Sequence, residues 1–238
     1  MRAVLVPLFT RPRAPEVNLA RFAALLPTLA AGQPDLVVLP ECTFSGYLYE
    51  LADLERFAEP IPGPLVTRLA DYARRLHSHL VFGMVERTPA GFYDSAVWLN
   101  RQGELVGVQR KLSEPPPFQK GETLVPFVTE LGTFHIVICG DLYHEAARRQ
   151  VLPTAHGILA PLARSFDGPS PDPDRWEREE RAEYVAVAQQ LRRPTLLVNA
   201  LDEDGDDPAF GGAMAVLPNG HLLGEAPHGT ATLLWVEL

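Results

Sequence analysis

Cysteine and lysine are scarce in this 238-residue sequence. The two cysteines, Cys42 and Cys139, cannot build a disulfide framework, and no CxxC pair or Cys/His cluster offers ligands for structural zinc. No run approaches the ~18 consecutive apolar residues of a membrane span. The apolar opening Ala3–Phe9 meets Arg11-Pro12-Arg13 almost at once, without a small-residue cleavage site, so it does not read as a signal peptide. Positive charge is not in excess either. A formal net charge of -9 argues against nucleic acid or an anionic membrane as the main partner. No repeat, low-complexity tract or Gly/Ser linker divides the chain, so one domain over residues 1–238 is expected. These absences predict a soluble, cytoplasmic protein with reduced thiols.

The composition that remains is that of a globular protein. Hydrophobic residues make up 46% and charged residues 21%, which excludes disorder as the dominant state. Of the 21 basic residues, 19 are arginine, and only Lys111 and Lys120 are lysine. A lysine kept in an arginine-rich background hints at a need for a compact, tunable ammonium. A solvated surface lysine is the plainer alternative.

Apolar periodicity places the elements. Arg2–Phe9 reads as a buried strand. Asn18 is placed to cap a helix carrying Leu19, Phe22, Ala23, Leu26 and Leu29 on one face. Leu36–Leu39 is a short strand ended by Pro40, and Leu65, Leu69, Tyr72, Ala73 and Leu76 mark a second amphipathic helix. Leu80–Val85, Tyr93–Asn100 and Leu105–Arg110 follow as strands, and Phe127–Leu131 with Phe134–Cys139 form a hairpin around Gly132. Glu145–Leu152 reads as a short helix, Gly157–Pro161 as a strand and Arg164–Asp174 as a loop. A long helix over Asp174–Leu191 precedes the closing strands Thr195–Asn199, Ala213–Leu217, Leu222–Glu225 and Ala231–Val236. Strands interleaved with helices and hairpins predict an α/β layered fold with mixed sheets, the helices outside two packed sheets.

Three reactive residues interrupt this pattern where a strand gives way to a loop, the place where open α/β sheets bind ligands. They are Glu41 in LPECTFSGY, Lys111 in RKLSEPPPF and Cys139 in VICGDLYHEAAR. A cysteine attacks as thiolate, so it needs a base or a positive neighbour. Glu41 suits the base and Lys111 the oxyanion partner. Taken singly, each has a plainer reading: a buried thiol as a small hydrophobe, a glutamate as a cap or ion pair.

In this order and spacing the three segments resemble the signatures of the nitrilase superfamily, the carbon–nitrogen hydrolases. The later segments ILAPLARSF, LRRPTLLVNA and FGGAMAVLPNGHLLGEA agree, so the resemblance spans nearly the whole chain. It implies a four-layer αββα sandwich with two mixed β-sheets and a Glu41-Lys111-Cys139 triad. It also implies hydrolysis of a small amide, an ω-amide, linear amide or N-carbamoyl compound, through a cysteine thioester. No metal or organic cofactor is expected, and a homodimer is. The backbone N–H of Gly140 would join Lys111 at the oxyanion.

Many members carry a second glutamate after the lysine. Here Glu122 matches an acidic turn residue, which leaves Glu114, unusually close to Lys111. Members usually have a larger residue than Gly140 after the cysteine, and many extend past the last strand with a tail that packs across a dimer, whereas this chain stops at Leu238. Gly140-Asp141 stands where relatives that hydrolyse nitriles often have Trp-Glu, which favours an amide substrate. Nitrile hydrolysis, acyl transfer with the same triad and a catalytically impaired metabolite-binding homologue are the alternatives. Tyr47, Phe118 and His144 are candidate pocket residues, against plainer roles in the core or at the surface. Asp141 reads as an acceptor of backbone hydrogen bonds that holds its turn. The acidic run Asp202–Asp207 lacks the spacing of a calcium loop and reads as a solvated turn.

Overall fold

Strands that are apolar on both faces must be covered on both faces. The chain achieves this with two sheets packed together and helices on each outer side, an αββα sandwich. The computed structural model describes residues 1–166, 171–204 and 208–238. The first sheet runs, edge to edge, through β14 (Leu234–Glu237), β1 (Arg2–Leu5), β3 (Leu36–Val38), β4 (His79–Thr88), β5 (Gly91–Leu99) and β6 (Leu105–Arg110). The second runs through β13 (Leu222–Ala226), β12 (Ala213–Val216), β10 (Thr195–Asn199), β9 (Gly157–Leu162), β8 (Gly132–Ile136) and β7 (Pro126–Thr129). Both are mixed: β1, β3 and β4 are parallel, as are β8, β9 and β10, and the outer strands pair antiparallel.

Trp98, Phe127, Phe134, Ile136, Leu159 and Val198 fill the layer between the sheets. On the outer face of the first sheet, α1 (Pro15–Gly32) and α3 (Pro64–Leu76) bury Phe22, Leu29 and Leu69 against Val4, Val37 and Phe82. On the outer face of the second, α4 (Glu145–Arg148) and α6 (Arg181–Leu191) bury Ala147, Tyr184, Val187 and Leu191 against Ile158 and Leu197.

Several boundaries differ from the sequence reading, each for a local reason. The first strand stops at Leu5; Pro7 has no N–H for a ladder, and pairing resumes in β2 (Phe9–Thr10), which pairs with β11 (Leu201–Asp202). Asn18 is not the cap of α1. The helix begins at Pro15, and Asn18 is buried within it. Its side chain accepts from Arg11 N and donates to Arg11 O and Phe44 O at 2.8–2.9 Å. It thus ties α1 to the loop that follows β3. A short helix, α2 (Leu51–Phe57), was not expected; Leu54 is its one fully buried residue, too little for a visible period. The long helix near Asp174–Leu191 begins as α5 (Pro173–Arg175) and passes through a π-helical turn at Trp176–Glu180 into α6. Part of the expected loop Arg164–Asp174, residues 167–170, lies outside the described residues, as do residues 205–207 of the acidic run. Two of that run's described residues are bonded rather than simply solvated. Asp202 accepts from Thr10 Oγ1 at 2.6 Å, and Glu203 pairs with Arg11 and Arg21.

One glycine positions the site. After β3 the chain continues along β4, with Gly83 N donating to Pro40 O at 2.9 Å and Thr43 N donating to Gly83 O at 3.1 Å. A Cβ at Gly83 would stand 2.5 Å from both Glu41 Cα and Cys42 N. Only a bare backbone lets the Glu41 segment come this close.

Candidate active site

The first sheet delivers acids and an ammonium; the second delivers a thiol. Glu41 follows β3, Lys111 follows β6, and Cys139 opens a 3-10 turn, Cys139–Leu142, shortly after β8. Cys139 has φ 41°, a left-handed conformation disfavoured for a residue with a Cβ. Such strain is characteristic of sites where a side chain must be presented at a sharp strand-to-turn corner. Here it leaves Cys139 half-buried on the wall of a cavity. A hydrogen bond from Glu41 N to Leu162 O at 3.3 Å links the two sheets at the cavity floor.

Lys111 is the hub. Its Nζ lies 2.6 Å from Glu41 Oε1, 2.5 Å from Glu114 Oε1 and 3.3 Å from Asp94 Oδ2, with all four side chains buried. It also sits 5.0 Å from the centre of the Tyr47 ring, whose hydroxyl donates to Glu114 Oε2 at 2.6 Å. The unusually close spacing of Lys111 and Glu114 works because the intervening turn is gripped from the second sheet. Asp141 accepts from Leu112 N and Ser113 N, both at 2.9 Å by its nearer oxygens. The acceptor role read from the sequence is there, but its donors lie on the lysine segment rather than in Asp141's own turn.

Burial pushes the Glu41 carboxyl up, yet the Lys111 charge, the Lys111 hydrogen bond and the neighbouring Asp94 and Cys139 side chains outweigh it and hold Glu41 below the ordinary carboxylate value. Burial works against the Lys111 charge, but Glu41 and Asp94 overcome it and raise the ammonium, so it stays protonated. Burial and the neighbouring Glu41 charge push the Cys139 thiol up, with Lys111 opposing. The resting site is therefore a neutral thiol beside an ionised carboxylate: a nucleophile awaiting its base.

Glu41, Asp94 and Glu114 bring carboxylate oxygens within 4.8 Å of one another, a spacing that could hold a metal ion. The Lys111 ammonium already stands among these oxygens and supplies the positive charge that a cation would.

The cavity measures about 430 Å³. Of the residues singled out from sequence, Glu41, Tyr47, Lys111, Glu114, Cys139 and Gly140 all line it. Two do not. Phe118 is buried behind Tyr47, with ring centroids 5.9 Å apart, and His144 is exposed at the start of α4. Sequence reasoning missed Asp94, whose one signal is an acid inside the expected strand Tyr93–Asn100. It also missed the outer wall, where Arg164 pairs with Glu180 at 3.2 Å and Tyr143 and Tyr184 line the same cavity.

Comparison with known proteins agrees with this geometry. The carbon-nitrogen hydrolase family model matches residues 9–238. An (R)-stereoselective amidase from a Pseudomonas species is 29% identical over 230 residues, covering 95% of this chain and 81% of the relative. An aliphatic nitrilase from Sinorhizobium fredii is 26% identical over 271 residues, covering 100% of this chain and 86% of the relative. Among solved structures, Saccharomyces cerevisiae Nit3, a member of branch 10 of the nitrilase superfamily, superposes with a TM-score of 0.85. It is 22% identical, with coverage of 99% of this chain and 89% of that one. The match along the chain, the two-sheet sandwich and the Glu-Lys-Cys cavity agree: this chain belongs to the carbon-nitrogen hydrolase family of enzymes.

Proposed function

We propose that the enzyme hydrolyses the carbon–nitrogen bond of a small carboxamide, whether an ω-amide, a linear amide or an N-carbamoyl compound, through a thioester on Cys139. The observation that carries this reading is the Glu41–Lys111 contact of 2.6 Å on the floor of the cavity into which Cys139 opens. Glu41 takes the thiol proton as sulfur attacks the carbonyl carbon. The carbonyl π electrons move to oxygen, where Lys111 Nζ and the Gly140 N–H stabilise the charge. As the carbon–nitrogen bond breaks, Glu41 returns its proton to the departing nitrogen, which leaves as ammonia or an amine. Glu41 then deprotonates water for attack on the thioester. The acid is released, and the proton passes back to the thiolate. Because the ammonium supplies the positive charge, this reaction needs no metal or organic cofactor.

An amide substrate is favoured over a nitrile by Gly140-Asp141 after the nucleophile. Asp141 spends its carboxylate on two amides of the lysine segment, and Gly140 leaves the cavity open above Lys111. In this reading the protein is single-domain and cytoplasmic, as its sequence pattern suggests, and a homodimer, as its family resemblance implies.

Intact-mass spectrometry with a panel of small amides, nitriles and N-carbamoyl compounds tests the proposal. An acyl increment on Cys139, with ammonia or amine released from an amide, is expected. Turnover of nitriles alone would reassign the substrate class, and amide turnover that survives Cys139→Ala would overturn the thioester.

A further inference from the structure

Asp94 is the most secluded acid of the site. It projects from β5 with no exposure to solvent, and its backbone carbonyl accepts from Lys111 N at 2.9 Å. Five other titratable or charged groups surround the Glu41–Asp94 pair. Cys42 comes from the loop after β3, Lys111 and Glu114 from the segment after β6, Cys139 from the turn after β8, and Tyr47 from the loop beyond Cys42.

The hydrogen bonds do not close if every acid here is ionised. Glu41 Oε1 accepts from Lys111, but Glu41 Oε2 has no donor. Asp94 Oδ1 accepts from Cys42 Sγ at 3.6 Å. Asp94 Oδ2 is 3.3 Å from Lys111 Nζ, yet without the geometry of a hydrogen bond. The two carboxyls converge on the same ammonium with their oxygens within 4.8 Å of each other, and two carboxyls so close can hydrogen-bond only with a proton between them. The charges agree. Three ionised carboxylates around one buried ammonium would leave two negative charges unbalanced away from water. One proton between the two carboxyls supplies the missing donor and halves that excess charge.

We propose that Asp94 is a positioning residue: a buried carboxylic acid that keeps its proton and donates it in a hydrogen bond to Glu41, holding Glu41 ionised as the base for Cys139. This rests on the reading of Glu41 as that base. Geometry decides which acid keeps the proton. Glu41 holds the Lys111 ammonium at 2.6 Å, whereas Asp94 has the same ammonium only at 3.3 Å and a weak thiol donor. Burial and the adjacent Glu41 charge push Asp94 well above the ordinary value, while Glu41 is held below its own. Two acids in contact whose environments drive them apart divide the roles of donor and base. They titrate as a pair.

Two readouts on the full chain test this, and neither needs a known substrate. The first is the infrared carbonyl band of a protonated carboxylic acid at neutral pH. It is expected in the wild type and lost in Asp94→Asn; a band that is absent, or that survives the substitution, overturns the proposal. The second is the pH dependence of Cys139 alkylation by iodoacetamide, whose acid limb reports ionisation of Glu41. Asp94→Ala removes the donor and should raise that limb by about one to two pH units. Asp94→Asn, which keeps an N–H donor and the shape, should hold it near its wild-type position. If Asp94 is instead ionised, both variants remove a negative charge and lower the limb, which overturns the proposal. An unmoved limb in Asp94→Ala leaves Asp94 a merely structural role and overturns it as well. Glu41→Gln separates the two readings. If it leaves the alkylation profile unchanged, Glu41 is not the base, whatever the infrared band shows of Asp94.

Discussion

Asp141 accepts the Leu112 amide on both carboxylate oxygens, at 3.1 and 2.9 Å, from the opposite sheet of the sandwich. The residue two places after the nucleophile thus fixes the residue after the lysine, so Cys139 and Lys111 are set by one contact rather than by two independent loops. Burial pushes the Asp141 carboxyl up, and the Leu112 and Ser113 hydrogen bonds oppose this without cancelling it. Asp141→Ala leaves the buried Leu112 amide and the part-buried Ser113 amide without this acceptor, and loss of a buried partner costs about 1–3 kcal/mol. The expected result is a lower midpoint in urea together with slower alkylation of Cys139. A stable variant with unchanged alkylation would show that the two loops are set independently.

Lys111→Arg is the sharper test of the hub. The ammonium touches three carboxylates from one point, at 2.5, 2.6 and 3.3 Å, a convergence that a planar guanidinium cannot reproduce in the same space. Loss of one oxyanion donor typically lowers kcat about 10²–10³-fold, so Lys111→Arg should fall at least that far. Lys111→Met leaves the acids buried without a counter-charge and should destabilise the fold by roughly 3–5 kcal/mol at neutral pH. Thermal unfolding at falling pH checks this: as the acids protonate, the deficit should shrink. A constant deficit would locate the damage in packing instead.

Much of this was legible in the sequence because strands and helices announce their buried faces by period. The apolar run within Tyr93–Asn100 marked a strand and the stripe through Leu65, Leu69 and Leu76 a helix face, and the nucleophile, lysine and glutamate stood out by breaking strands at their ends. Asp94 did not stand out, because it sits within β5 rather than beyond its end. That an acid there is buried follows only once a second sheet covers the strand. His144 failed for the opposite reason: proximity in sequence to Cys139 placed it past a tight turn, facing water. The same turn explains why Glu114 could fold back onto Lys111 despite its short spacing, since Asp141 lies far from it in sequence.

Two glycines beside the site should respond in opposite ways to an added methyl. At Gly83 the new Cβ meets backbone atoms of Glu41 and Cys42 at 2.5 Å, and backbone cannot rotate away. Gly83→Ala should cost about 1–3 kcal/mol and displace Glu41, with kcat falling. At Gly140 the nearest atoms are Ser113 Oγ at 3.4 Å and Lys111 Cε at 3.9 Å, which is ordinary contact. Gly140→Ala should keep wild-type stability and raise KM for the bulkier amides. Equal thermal midpoints for the two variants would contradict this assignment of space.

Far from the site, Glu203 holds Arg11 through two hydrogen bonds, at 2.8 and 3.0 Å, and Arg21 at 2.6 Å, joining the segment after β11 to the start of α1. Hydrogen bonds from Arg11 and Arg21 lower its carboxyl from 4.5 to about 2. The depressed value means that the native state binds this proton less readily than the unfolded chain does. The stabilisation is therefore complete above 4.5 and lost as pH falls toward 2. Glu203→Gln removes it at every pH. The unfolding midpoint of the variant should lie below that of the wild type at neutral pH, and the two curves should converge as the solution approaches pH 2. Added salt should narrow the gap at neutral pH, because solvent and ions reach this clasp. A gap that persists undiminished at pH 2 would mean that Glu203 contributes through packing rather than through its charge.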